Sequence, residues 1–98
     1  MAHIWEQIGI DLFGDAPGDS FGFTGISLSK DGSIMAVGAQ FNDDNGTDSG
    51  HVRIFENINN TWTQIGSDIV GQFAYDQCGV SVDLSDDGKI VAIGAWHN

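Results

Sequence analysis

The sequence predicts an all-β chain made of short antiparallel strands in a repeated unit, and three observations lead there. A tryptophan-led motif returns 57 positions after its first appearance. No segment carries apolar residues at the i, i+3, i+4 spacing of an amphipathic helix; the apolar runs are short, β-branched and bounded by Gly, Asp, Asn and Ser. Gly is abundant, at 14 of 98 residues, while Pro occurs once, the balance expected of many strands joined by glycine turns.

The repeat is read directly from the chain. Trp5-Glu6-Gln7-Ile8-Gly9-Ile10-Asp11 returns as Trp62-Thr63-Gln64-Ile65-Gly66-Ser67-Asp68. Gly14, Asp19 and Gly22 recur as Gly71, Asp76 and Gly79 at the same offset. One extra residue near Thr24-Gly25 then lowers the offset to 56. Beyond it, Leu28-Ser29-Lys30-Asp31-Gly32 matches Leu84-Ser85-Asp86-Asp87-Gly88, and Ile34 to Ala39 matches Ile90 to Ala95. Asn42 matches Asn98. The chain thus holds about 1.7 repeats: one over roughly residues 5–61 and a partial one over roughly 62–98, together a single segment spanning 1–98.

Within the first repeat, strands are expected near residues 23–29, 33–39, 51–57 and 62–66. Ser29-Lys30-Asp31-Gly32 joins the first two, with Asp-Gly supplying the turn and Gly its left-handed residue. Ser85-Asp86-Asp87-Gly88 does the same in the second copy. Four antiparallel strands per repeat make a β-propeller blade. Ile34 to Ala39 is apolar on both faces, as expected of a strand covered on both sides. Its small residues Ala36, Gly38 and Ala39 leave room for a neighbouring blade. His51 to Glu56 mixes charge with apolar residues and suits a more peripheral strand. Trp5 and Trp62 open the outermost strand, where they are expected to pack between blades; a sugar-stacking platform is the alternative.

At these residues the chain resembles the FG-GAP repeat of integrin α-subunit propellers and their microbial relatives. It has Phe21-Gly22 followed by Gly38-Ala39-Gln40, then Cys78-Gly79 followed by Gly94-Ala95-Trp96. The resemblance implies a propeller fold, an adhesion-like or scaffolding role and an extracellular or cell-surface setting, with ligands on a propeller face. It does not carry over the family's calcium loop. The positions between the first two strands read Ser29-Lys30-Asp31-Gly32 and Ser85-Asp86-Asp87-Gly88, too short and too poor in carboxylates.

Charge narrows the partners. Three basic residues against 14 acidic ones give −11. Such a surface repels nucleic-acid phosphates and anionic membranes, both of which demand Lys/Arg neutralisation. No apolar run reaches the ~18 residues of a membrane span, and the N-terminal residues show neither the basic nor the apolar region of a signal peptide. No nucleic-acid partner and no membrane insertion are expected. Cys78, the single cysteine, excludes an intramolecular disulfide.

Catalytic, cofactor and metal residues are expected to be absent. No nucleophile elbow, phosphate-binding loop or dinucleotide fingerprint occurs, and His3, His51 and His97 have no metal-ligand spacing. Carboxylate pairs such as Asp86-Asp87 fall on hairpin tips. The richest polar stretch, Asn42 to Gly50, offers the carboxylates of Asp43, Asp44 and Asp48 with Asn42 and Asn45, ligands of the type calcium takes. Its register is wrong for an EF-hand, since Gly46 at loop position 6 would put Phe41 at position 1. Asn45-Gly46-Thr47 and Asn59-Asn60-Thr61 match a glycosylation pattern, a coincidence in so Asn-rich a chain. A non-enzymatic binding or scaffolding module is therefore the expected function, with a lectin-like propeller as the alternative and a protein or glycan as its ligand.

Propellers close with about four to eight blades, more than this sequence encodes. A homo-oligomer is expected, either a ring or a two-fold dimer through the open edge of the Ile90–Trp96 strand.

Overall fold

A computed structural model describes Gln7 and residues 12–96. It contains seven strands and no helix among them: β1 Phe21–Leu28, β2 Ile34–Ala39, β3 His51–Ile58, β4 Thr61–Gln64, β5 Ile69–Val70, β6 Ser81–Leu84 and β7 Val91–Gly94. The fold is all-β, as the repeat predicts. Strands β1, β2, β3 and β4 pair antiparallel in chain order, and β5 joins the start of β3. The second sheet is the β6–β7 hairpin. The expected outer strand at Trp5 and the residues at His3, His97 and Asn98 lie outside the described residues.

The two blade hairpins are copies in bond pattern as well as in sequence. In the first, Ser29 N–H donates to Ile34 C=O at 2.9 Å and Gly32 N–H to Ser29 C=O at 3.0 Å. In the second, Ser85 N–H donates to Ile90 C=O at 2.8 Å and Gly88 N–H to Ser85 C=O at 2.9 Å. Asp31 accepts from Ser29 Oγ, Ser33 N–H and Ser33 Oγ; Asp87 accepts from Ser85 Oγ and Lys89 N–H. The Asp therefore fastens the turn, and Gly32 and Gly88 close it at φ values of 76° and 72° that only glycine adopts without strain. A different device joins β3 to β4. Asn59 and Asn60 both take positive φ, 52° and 65°, the two-residue turn whose twist matches a hairpin.

The fourth strand departs from expectation. A single strand over 62–66 is predicted, but pairing runs over β4, breaks, and resumes at β5. Gly66, at φ 75°, marks the break. The interruption brings Asp68 beside β3, where it meets Arg53.

The β6–β7 hairpin packs on one face of the first sheet. Ala36, Val52, Cys78 and Leu84 form the buried centre, with Ile34, Ile54, Val82, Val91 and Ile93 around it. Residues 34 and 36 of β2 and 52 and 54 of β3 alternate onto this face, as the period of two requires. Leu84 N–H reaches across to Ser27 Oγ at 3.0 Å, and Lys30 N–H donates to Asp86 C=O at 2.9 Å. The expected close approach at Gly38 is present. A Cβ there would lie 2.8 Å from the carbonyl carbon of Gly79 and 2.9 Å from its Cα, so the backbones touch where side chains would hold them apart. On the other face of the first sheet, Phe21 and Phe55 meet edge to face, 6.4 Å between ring centroids, beside the buried Val37.

Trp62 does not sit in the packed junction of the two sheets. Its register partner is Asn57, two residues from Phe55, so it belongs to the face turned away from β6 and β7, where it is half-buried.

Candidate functional site

The polar loop between β2 and β3 is a clip before it is anything else. Tyr75, Gln77 and Cys78 donate their N–H groups to the carbonyls of Thr47, Asp48 and Ser49 at 2.7, 2.9 and 2.9 Å. Gly50 and Cys78 form a parallel bridge, and Gly71 N–H donates to Gly50 C=O at 2.9 Å. Asn45 Nδ2 donates to Gly71 C=O at 2.8 Å and to Gln72 C=O at 3.3 Å. The loop thus binds the segment that leads into β6 by main-chain pairing, which ties the two repeats together. The Asn45 amide, part of a glycosylation pattern in the sequence, is spent on that contact.

The loop's own side chains hold its shape. Asp43 Oδ1 accepts from Asp48 N–H at 2.8 Å, and Asn42 Oδ1 from Asp44 N–H at 2.9 Å. Asn42 Nδ2 donates to the buried Asp19 at 2.9 Å. Asp76, the repeat counterpart of Asp19, is also buried and accepts from Phe73 N–H at 3.0 Å. Asp43, Asp44 and Asp48 do not gather as a metal-sized group among the described residues; Asp44 turns instead toward β3.

There it meets a set of residues that no sequence spacing links. His51, at the start of β3, is 0% exposed, and neither ring nitrogen has a hydrogen-bond partner. Its Nδ1 stands 3.5 Å from Asp44 Oδ2 and 4.0 Å from Asp68 Oδ2. Arg53, two residues along the same face, grips Asp68 with two bonds, Nε to Oδ1 at 2.9 Å and Nη2 to Oδ2 at 3.1 Å. Its Nη2 also lies 2.9 Å from each oxygen of Asp15. Hydrogen bonding from Arg53, with a further bond from Gln64 Nε2, holds the Asp68 carboxyl below the usual range against the opposing effect of its burial. Asp15, Asp44 and His51 each place a ligand-type atom within 4.8 Å of the others. The sequence could not reveal this group, since its members come from a lead-in segment, a loop and a strand.

Residues 14–55 match the FG-GAP repeat family. That stretch is an FG-GAP repeat. The match covers β1, β2 and most of β3, with the lead-in segment and the Asp31-Gly32 turn that hold most of the recurrent Gly and Asp positions. Neither the curated proteins nor the solved structures gave a match. The all-β, antiparallel architecture is consistent with a β-propeller blade fragment, and the first sheet, whose β1, β2 and most of β3 carry the match, is the FG-GAP blade.

Two further features bear on chemistry. A cleft of about 290 Å³ opens between the FG-GAP blade and the second hairpin, lined by Ile54, Ile65, Gly66, Leu84, Lys89 and Val91 among others. Its walls are mostly apolar and offer little to orient a polar substrate. Cys78 is buried, and desolvation, with the Asp76 carboxylate adding to it, pushes its thiol pKa up. A thiol so placed is packing material, not a nucleophile. No helix among the described residues is long and apolar enough to cross a membrane.

Proposed function

We propose that the chain is a non-enzymatic propeller module for binding or scaffolding at a cell surface or outside the cell, and that copies of it associate to complete a propeller. One observation carries this reading. Val82 and Leu84 in the second repeat correspond, at an offset of 56, to Ile26 and Leu28 in the first. The registers correspond too: Val82↔Ile93 and Leu84↔Val91 repeat Ile26↔Val37 and Leu28↔Met35. Leu84 is 8% exposed because it packs on the FG-GAP blade, whereas Leu28 and Ile26 are each 55% exposed. Equivalent β-strand positions are core in one copy and exposed in the other, although Val37 and Phe55 on the same face as Ile26 and Leu28 are buried.

The opposite side repeats the mismatch. Ala36 is fully buried beneath the second hairpin, while its counterpart Ala92 is exposed and Ile90, counterpart of Ile34, is 70% exposed. One end of the stack therefore offers the surface the other end needs. That is a head-to-tail interface, which closes a ring if the rotation per blade permits. Repeat units bury their faces only against neighbours, and a second copy supplies the matching one.

Light scattering at micromolar concentration tests the assembly. A multiple of 10.5 kDa is the expected result, and a stable, compact 10.5 kDa species would overturn it. Binding is tested separately on arrays of glycans and of cell-surface proteins. Glycan retention that depends on Trp62 would replace the scaffolding reading with the lectin-like one.

A further inference from the structure

We propose that Asp15, Asp44 and His51 form a binding site for one divalent ion of the zinc class. The first ground is geometric: one imidazole nitrogen and two carboxylates converge within 4.8 Å. Three protein ligands with room for water is an arrangement zinc accepts. The second ground is independent of the carboxylates. His51 is fully buried with both ring nitrogens unpartnered, and a native interior rarely leaves a polar side chain in that condition. Its Nδ1 faces the carboxylates, 3.5 Å from Asp44 Oδ2. A cation between them would give that nitrogen the partner it lacks, the proton residing on Nε2.

Charge agrees with a divalent ion. Asp15, Asp44 and Asp68 bring three negative charges to the cluster and Arg53 one positive charge, so the surroundings of a neutral His51 carry −2. Arg53 also sets the geometry. It holds Asp68 by a two-point bond and fixes Asp15 at 2.9 Å, which orients a ligand from behind, as an outer-shell partner does. Asp44, whose side chain is 47% exposed, has the freedom to close the last few tenths of an ångström.

The choice of ion follows from the donors. Calcium takes six to eight oxygens, more than this group supplies, and gains nothing from an imidazole. Nitrogen and carboxylate together suit zinc or a neighbouring first-row ion. This group overlaps the Asp43–Asp48 loop considered as a calcium ligand set at Asp44 alone, with Asp15 and His51 in place of Asp43 and Asp48.

Isothermal titration of the chelator-treated full chain with zinc chloride at neutral pH tests the proposal. One ion per chain is expected, with a shift of the His51 ring signals in the NMR spectrum and a higher melting temperature. Asp44→Asn should keep the metal-free melting temperature and weaken zinc at least about tenfold. His51→Gln, checked for folding by circular dichroism, should lose the ion, and a calcium titration should show no heat at the same site. Absence of zinc binding would overturn the proposal. So would undiminished binding by Asp44→Asn, which would place the ion elsewhere on the acidic surface.

Discussion

The N–H of Leu84 donates to Ser27 Oγ across 3.0 Å, a side-chain bond that joins the second hairpin to the FG-GAP blade beside their shared apolar core. The bond is partly buried, so removing its acceptor leaves a donor with reduced access to water. Ser27→Ala is expected to lower stability by about 1 kcal/mol, read as a shift of the urea midpoint with an unchanged slope. No change in the midpoint would show that water replaces the hydroxyl freely.

Gly38 tests the backbone contact that lies next to it. Alanine at this position would place its Cβ 2.8 Å from the carbonyl carbon of Gly79, and neither backbone has a flexible end to yield. Gly38→Ala is expected to destabilise by about 1–3 kcal/mol, the range for overpacking a close-packed site. Gly32→Ala has open space around it but a φ of 76°, so its penalty, about 1–2 kcal/mol, is conformational. Urea melts of both variants, with hydrogen exchange at the Gly79 amide, separate the mechanisms: only Gly38→Ala should loosen the junction.

These two positions also show what the sequence discloses and what it hides. The Ser-x-Asp-Gly turns are legible because a local rule, a left-handed residue after Asp, operates within four positions. Gly38 is legible because a small residue in an otherwise apolar strand implies a close neighbour. The clip made by residues 47–49 is invisible, because its bonds are main-chain carbonyls and any side chain could accompany them. His51 is equally hidden: Asp15 and Asp44 reach it only after the chain has folded. The break at Gly66 is not legible, because Gln64, Ile65 and Gly66 continue the motif without a turn signal in advance. Trp62 falls on the face opposite to the packed junction for a similar reason, since parity along a strand is set by register and not by residue type.

Backbone conformation carries the repeat further than residue identity does. Gly18, Ser20 and Gly22 have positive φ of 88°, 60° and 74°, and their counterparts Tyr75, Gln77 and Gly79 have 64°, 53° and 94°. The alternation is conserved between the copies although Gly18 has become Tyr75. A tyrosine in this region costs about 1–2 kcal/mol, and glycine returns about 0.5–1 kcal/mol of that through its looser unfolded chain. Tyr75 is largely exposed, so little packing is lost with it. Tyr75→Gly is expected to raise stability by about 0.5–1 kcal/mol, the difference of those two effects. A lower melting temperature would mean that the ring makes contacts worth more than the strain.

The hairpin aspartates set a dependence on acid. Asp31 has its pKa lowered first by the Ser33 hydroxyl, and Asp87 first by the Lys89 N–H. A depressed carboxyl stabilises fully above its unfolded value of 3.8, and the effect is lost as pH falls through the folded value. Both turns should therefore loosen below pH 4 while neutral conditions leave them intact. An NMR titration of the two carboxyls is the direct measurement, with Asp31→Asn and Asp87→Asn flattening the response. Midpoints at or above the unfolded value would contradict the role given to these bonds.

The sharpest test of assembly compares two leucines that the repeat makes equivalent. Leu84 is packed against Ala36, Val52 and Ile54, so Leu84→Ala should cost about 2–5 kcal/mol at any concentration, as buried leucines do. Leu28 occupies the same register position one blade earlier, with more than half of its surface in water. In a dilute monomer, Leu28→Ala should therefore cost under about 0.5 kcal/mol, like other exposed substitutions. Association changes that answer. If another copy covers the face formed by Ile26, Leu28 and Met35, the cost of Leu28→Ala must rise with protein concentration, because binding stabilises only the form that binds. Leu28→Glu should go further and dissociate the complex, since a charge buried at an apolar contact has no partner there. Melting curves from micromolar to millimolar concentration, paired with light scattering, give both readouts. A penalty for Leu28→Ala that stays small and constant over that range would leave the chain a stable two-hairpin unit with one face open.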